Sequence, residues 1–258
     1  MIAWLKRTLG ASPVEPRDDL ALGLAAYRSG DLQRARQILE TTVHEHATSA
    51  PALKALGDVY SDSTLTAEAI HCYERALAID PHYAEALNNL GLLRRHLADF
   101  PAAENLFRRA LAAKPDLEAA RINLADTIEA QGDSQGAIAC LEEVLRVNPA
   151  SVHARSNLGV TYASLGNWAQ AEKHYRISLE HEPENARVWS NLSLALRNQA
   201  RTAEALDAGL RAIECDPQDS ALRSQYLLTT NYSDQLGADA ICAAHRRHGG
   251  KLEVRSHW

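Results

Sequence analysis

Five prolines, Pro81, Pro115, Pro149, Pro183 and Pro217, stand 34 residues apart without one slip of phase, and this spacing constrains the chain more than any other feature. Proline lacks the N–H that a helix interior needs and pushes the residue before it toward extended geometry, so each of these prolines ends a helix. Within one period, Ala84 to Leu117, helical spacing occurs twice. Leu87, Leu90 and Gly91 mark a first helix, and Ala103, Phe107 and Ala110 mark a second at i, i+4, i+7. Two helices per period make a hairpin, and the phase places six of them, starting at Pro16, Ala50, Ala84, Glu118, Val152 and Ala186. The eighth residue of each is small: Gly23, Gly57, Gly91, Ala125, Gly159, Ser193. The twentieth is always alanine: Ala35, Ala69, Ala103, Ala137, Ala171, Ala205. Small residues at both places let the two helices close toward the lower end of the roughly 8–10 Å range of helix packing.

A helical pair of this length, with small residues where the backbones cross and a terminal proline, is the tetratricopeptide pattern, and the chain resembles that family. The resemblance implies an all-α, right-handed α-solenoid of six helix-turn-helix repeats followed by a capping helical segment. The expected division is a short helix and linker over 1–15, repeats over 16–49, 50–83, 84–117, 118–151, 152–185 and 186–219, and capping helices with a tail over 220–258. The core of such an array is local to each repeat and its neighbours. With only two Phe and one Met, the composition suits helix crossings built on Ala and Leu.

A formal charge of −6 and the lack of a basic stripe exclude a nucleic-acid footprint. Cys72, Cys140, Cys215 and Cys242 show no metal-binding spacing. Cys72 and Cys140 occupy the same position two repeats apart, too far for a disulfide, which suits a reducing compartment. The opening MIAWLKRTLG has too short an apolar run for a signal peptide, and no stretch approaches the roughly 20 apolar residues that span a bilayer. The expectation is a cytoplasmic chain without nucleic-acid or membrane partners. With Ile2, Leu5 and Leu9 on one side, residues 1–10 suit a helix covering the open end of the first repeat better than a membrane anchor.

The repeats are not uniform. The first has the Asp19 and Thr42 of an end unit, and the second lacks the glycine of the inter-helix turn that Gly132 and Gly166 supply later. The sixth carries Gly209 where Tyr73, Phe107 and Tyr175 place a ring, which leaves a socket for whatever packs next. The helix expected over 238–248 is the candidate to cover it. In that region, Leu222, Arg223, Ser224, Leu227, Leu228, Asn231, Tyr232, Asp234, Ala244, His245, Arg246 and Arg247 resemble the junction of bacterial O-linked N-acetylglucosamine transferase-like proteins, where repeats meet a glycosyltransferase part. The resemblance stops near Gly250. KLEVRSHW has neither strand-helix alternation nor a phosphate loop, so no catalytic residue and no cofactor is assigned.

Other chemistry is poorly served. His245 and His248, or His44 and His46, lack the third ligand a zinc site requires, so no metal is expected. A carboxylate clamp of the kind that grips acidic chaperone tails would need other residues than Asp58, Glu85, Ala119 and Asn123 beside Lys54. The sixth position carries more information: it reads Asn89, Asn123, Asn157, Asn191 in four consecutive repeats. A side-chain amide both donates and accepts, so such a row can hold a peptide backbone without reading its side chains. Helices roughly 10 Å apart match about three residues of extended chain at about 3.3 Å each. In the transferases named above, the corresponding asparagines hold the protein substrate by its backbone. The other role open to the row is structural, bonding neighbouring backbone. Asn88, Glu129, His153, Ser156, Arg187, Ser190, Arg197 and Asn198 are expected to line the same groove.

The sequence thus points to a non-enzymatic module binding an extended protein or peptide segment in its groove. Two alternatives are the substrate-binding arm of an O-linked N-acetylglucosamine transferase-like enzyme whose catalytic domain is missing or split off, and a scaffold for an envelope or pilus machine.

Overall fold

The computed structural model describes residues 19–231 together with Cys242 and Ala243, so the segment 1–15 and most of the helix expected over 238–248 lie outside the described residues. Between Asp19 and Asn231 the chain forms thirteen α-helices, and among the described residues there is no strand. They fall into two compact units, Met1–Leu117 and Glu118–Trp258. The first holds three hairpins: α1 (Asp19–Arg28) with α2 (Leu32–Glu45), α3 (Ala50–Asp62) with α4 (Thr66–Ile79), and α5 (Ala84–His96) with α6 (Phe100–Ala113). The second holds α7 (Glu118–Ala130) with α8 (Ser134–Val147), α9 (Val152–Ser164) with α10 (Trp168–His181), α11 (Ala186–Asn198) with α12 (Thr202–Cys215), and the single helix α13 (Ser220–Asn231).

Each hairpin has the same local causes. The second helices α4, α6, α8, α10 and α12 stop two residues before the period proline. The residue between, Asp80, Lys114, Asn148, Glu182 or Asp216, takes a ψ of 79° to 94°, out of the helical region that a following proline disfavours. The inter-helix turn passes through left-handed backbone once per period, at Gly30, Thr64, Ala98, Gly132, Gly166 and Ala200. The next residue then caps the second helix in four cases: Asp31, Asp99, Asp133 and Asn167 accept the backbone N–H three residues on. In the second repeat Thr64 (φ 60°) stands in for the missing turn glycine.

The small eighth residue has a specific cause in four hairpins: a Cβ at Gly23 would lie 2.7 Å from Leu39 Cδ2, and in the other three the neighbour is a ring. A Cβ at Gly57, Gly91 or Gly159 would lie 2.7, 2.7 and 2.5 Å from a ring carbon of Tyr73, Phe107 and Tyr175 respectively. Leucine holds the ring position twice, beside Gly23 in the first hairpin (Leu39) and beside Ala125 in the fourth (Leu141). In the sixth the ring position is Gly209, the eighth residue is Ser193, and its hydroxyl donates to the Ala205 carbonyl at 2.6 Å. The socket at Gly209 is filled by Tyr226 of α13, whose ring carbon lies 3.1 Å from where a Gly209 Cβ would stand. α13 follows in first-helix phase and brings its own ring to the place expected to be covered by the helix over 238–248, which lies outside the described residues but for Cys242 and Ala243.

Within each unit, every second helix packs on the next first helix. First helices also touch directly, α1 with α3 in one unit, and α7 with α9, α9 with α11 and α11 with α13 in the other. Side chains on their shared face therefore form rows. The core runs between the layers: Ala171, Tyr175, Val188, Leu192 and Ala205 belong to one cluster, and Ala212, Ile213, Leu222 and Tyr226 to the next.

Candidate functional site

The asparagines of the sixth position lie partly exposed on the first helices, and the structure separates their roles. In the first unit, Asn89 Nδ2 donates to Asp58 Oδ1 at 2.8 Å, across from α5 to α3. Asp58 also accepts from Lys54 Nζ at 2.6 Å and from the Tyr73 hydroxyl at 2.8 Å, so three helices meet on one carboxylate. Burial, then the Asp58 charge, raises the Tyr73 pKa and keeps the phenol a donor. Neighbouring carboxylates are engaged in the same way, Asp62 by Tyr27 at 2.6 Å and Glu40 by Tyr60 at 2.7 Å. Burial and the bond to Glu40 push Tyr60 up to about 12. Lys54, the one residue a carboxylate clamp would share, has its charge answered inside the fold.

In the second unit the arrangement repeats once and then stops. Asn157 Nδ2 donates to Asp126 Oδ1 at 2.8 Å, from α9 to α7. Asp58 and Asp126 both hold the ninth position of their repeats. In the following repeats that position is Val160, Leu194 and Leu228, and no carboxylate meets the amide above it. Among the described residues the Asn191 side chain forms no hydrogen bond, and it lines a recess of about 670 Å³ with Glu184, Arg187, Ser190, Asp216 and Gln225. The bond found at Asn89 and Asn157 is thus to a neighbouring carboxylate, not to neighbouring backbone.

The tetratricopeptide repeat family matches residues 54–118, 122–176 and 161–220, well over half of the chain. The chain is a tetratricopeptide repeat protein. Repeats of this family are protein–protein interaction modules, and proteins built from them are generally non-catalytic scaffolds. Solved structures of the same fold include PilW, a widely conserved type IV pilus biogenesis factor, at 20% identity over 80% of this chain and 96% of that one, with a TM-score of 0.74. Pseudomonas aeruginosa PilF is 20% identical over 83% and 96%, with a TM-score of 0.71. YrrB, described as having an unusual peptide-binding site, is 19% identical over 75% and 97%, with a TM-score of 0.56. At these identities the likeness concerns the fold. No curated protein matches the chain in sequence.

Within the repeats, the expected lining residues divide by burial. Asn88, Ser156 and Ser190 are buried, whereas His153, Arg187 and Asn198 are exposed. Asn88 Nδ2 donates to Asn89 Oδ1 at 3.2 Å, and Asn198 Nδ2 returns to its own helix at the Leu194 carbonyl, 2.9 Å away. Arg197 is half-buried. Glu129 accepts from the Ser164 hydroxyl at 2.6 Å. Two features escape the sequence reading. Gln225 holds the sixth position of α13 and extends the amide row, its Oε1 accepting from Ser190 Oγ at 2.8 Å and its Nε2 donating to the Ser190 carbonyl at 3.1 Å. Counting 34 from Asn191 finds it. Val160 and Leu228, 45% and 47% exposed, place apolar surface beside that row, where only polar residues were expected.

Among the described residues no three metal-binding side chains converge, and no helix is long and apolar enough to cross a membrane. His44 and His46 are exposed, and His245 and His248 lie outside the described residues.

Proposed function

We propose that this tetratricopeptide repeat protein is a non-enzymatic module that holds an extended peptide segment across the first helices of its second unit. The observation that carries the reading is the amide row on touching helices, Asn157, Asn191 and Gln225, in which Asn191 keeps its whole hydrogen-bonding capacity. Asn157 is held by its Nδ2 and presents its oxygen as an acceptor, so the row supplies both an acceptor for a peptide N–H and a donor for a peptide C=O. The peptide-binding site named for YrrB supports this use of the fold.

The test is selection of a random peptide library on the whole chain, followed by affinity measurement on the selected peptides. Replacing Asn157 and Asn191 with Ala should weaken them by about 1–3 kcal/mol, two hydrogen bonds of ordinary strength. Undiminished binding by that variant would place the site elsewhere, and a library that yields no binder would remove the reading.

A further inference from the structure

Two rows on α9, α11 and α13 and one recess lie side by side, and together they describe the segment they would hold. The amide row occupies the sixth position and the apolar row, Val160, Leu194 and Leu228, the ninth. Three residues of helix separate them, about 4.5 Å along the axis. On the other side of the amides, toward the helix starts, lies the recess between α11 and α13. Its charged groups are Glu184, Asp216 and Asp219 against one guanidinium, Arg187. Asp216 accepts from the backbone N–H of Gln218 at 3.1 Å and Asp219 from that of Ala221 at 2.7 Å, bonds that fix both carboxylates without removing their charge. Among the described residues Glu184 and Arg187 form no ion pair, and both are exposed. The recess therefore favours a cation.

We infer that the segment bound here is an extended peptide carrying two aliphatic side chains six residues apart and a basic side chain adjacent to one of them. The inference rests on the backbone-capture reading above and adds the side chains it selects. A chain extended along the amides presents alternate side chains to opposite edges. Val160 and Leu228, the two exposed members of the apolar row, are two helix steps apart, about 16–20 Å. Residues on one edge are an even number apart, and six residues at about 3.3 Å is the even number that spans this distance. The recess faces the opposite edge near α13, so the residue next to the aliphatic one over Leu228 points into it. Its cation meets the carboxylates of Glu184, Asp216 and Asp219, while exposed Arg187 can turn toward solvent.

The experiment uses the whole chain and fluorescence anisotropy with labelled peptides of Ser, Thr and Gly. One pair carries Leu at positions 1 and 7 with Lys at position 6, or at position 2 to cover the reversed chain direction. Controls replace Lys with Glu, or both Leu with Ser. One of the Leu–Lys peptides should bind at least tenfold more tightly than its controls. Glu184→Lys should abolish the preference for Lys over Glu. Val160→Ser with Leu228→Ser should abolish the preference for Leu, at unchanged helix content by circular dichroism. If all peptides bind alike, or if none binds while library-selected peptides do, the side-chain inference is overturned and backbone capture stands. If neither these nor any library peptide binds, both fall together.

Discussion

At the scale of single residues, the positions that deviate from the repeat carry the stored strain. Thr64, Ala98 and Ala200 have φ of 60°, 58° and 59° in the same turn where Gly30, Gly132 and Gly166 sit at 80°, 90° and 72°. Left-handed backbone costs an L-residue roughly 1–2 kcal/mol, partly offset because glycine loses about 0.5–1 kcal/mol more on ordering. Ala98→Gly and Thr64→Gly should each raise stability by about 0.5–1 kcal/mol in urea unfolding, and Gly166→Ala should lower it by a similar amount. No neighbour lies within 4 Å of a Cβ at Gly166, so a loss there reports the backbone alone. A second residue governs acid behaviour. His174 stacks on Tyr162 with centroids 5.5 Å apart, and its buried Nδ1 has no hydrogen-bond partner among the described residues. Burial first, then the charges of Arg155 and Lys173, push its pKa down to about 4. The unfolded imidazole titrates near ~6.5, so the unfolded chain takes up the proton first, and stability falls as pH drops from there to about 4. In His174→Phe the slope of melting temperature against pH over that window should flatten; an unchanged slope would assign the acid sensitivity to other groups.

At the scale of the helical hairpin, the eighth and twenty-fourth residues act as one volume. Glycine faces a ring in three hairpins and Leu39 in the first, Ala125 accompanies Leu141, and Ser193 accompanies Gly209. A methyl at Gly159 would stand 2.5 Å from the Tyr175 ring, which is wedged in the core with nowhere to withdraw. Gly159→Ala should therefore cost about 1–3 kcal/mol, as overpacking does. The double variant Gly159→Ala, Tyr175→Leu reproduces the pair of the fourth repeat and should recover part of that loss. If the second change only adds to the first, the two positions are independent and the volume rule is wrong. The same scale shows what could be read from sequence. The hairpin, its start and its end follow from proline phase and helical spacing, because both are backbone constraints that residue type announces. The left-handed turns at Thr64, Ala98 and Ala200 do not announce themselves, since glycine alone advertises that geometry. The asparagine row was legible by phase, but its partners Asp58 and Asp126 sit on the preceding first helix, 31 residues away, a pairing that only stacking creates. The apolar row escaped because Val160, Leu194 and Leu228 read as core residues until exposure separates them.

At the scale of the molecule, a repeat array owes its stability to each unit and its nearest neighbours, so a contiguous block can stand alone when it keeps its own core. The block Glu118–Trp258 holds three hairpins and α13, together with both core clusters that surround Tyr175 and Tyr226. It also keeps bonds that tie helix to hairpin and helix to turn. Glu172 accepts from Arg201 Nη1 at 2.7 Å and from Gln199 Nε2 at 2.9 Å, joining α10 to the following hairpin. Indole Nε1 of Trp189 and Nη1 of Arg223, at the same repeat position, each reach back to the period proline carbonyl, at 2.7 and 2.6 Å, and fix the turn from which the next first helix starts. All residues proposed to hold peptide, from Asn157 to Leu228, lie inside the block. A fragment of residues 118–258 should thus be helical, unfold cooperatively in urea, and bind library-selected peptides within about threefold of the whole chain, less than one hydrogen bond is worth. The complementary fragment 1–117, whose Asp58, Asp62 and Glu40 are engaged by tyrosines, should fold without binding them. Binding by fragment 1–117 alone would move the site to Asn89 and its neighbours. A folded fragment 118–258 that fails to bind would show that the row from Asn157 to Gln225 needs residues before Glu118 to act.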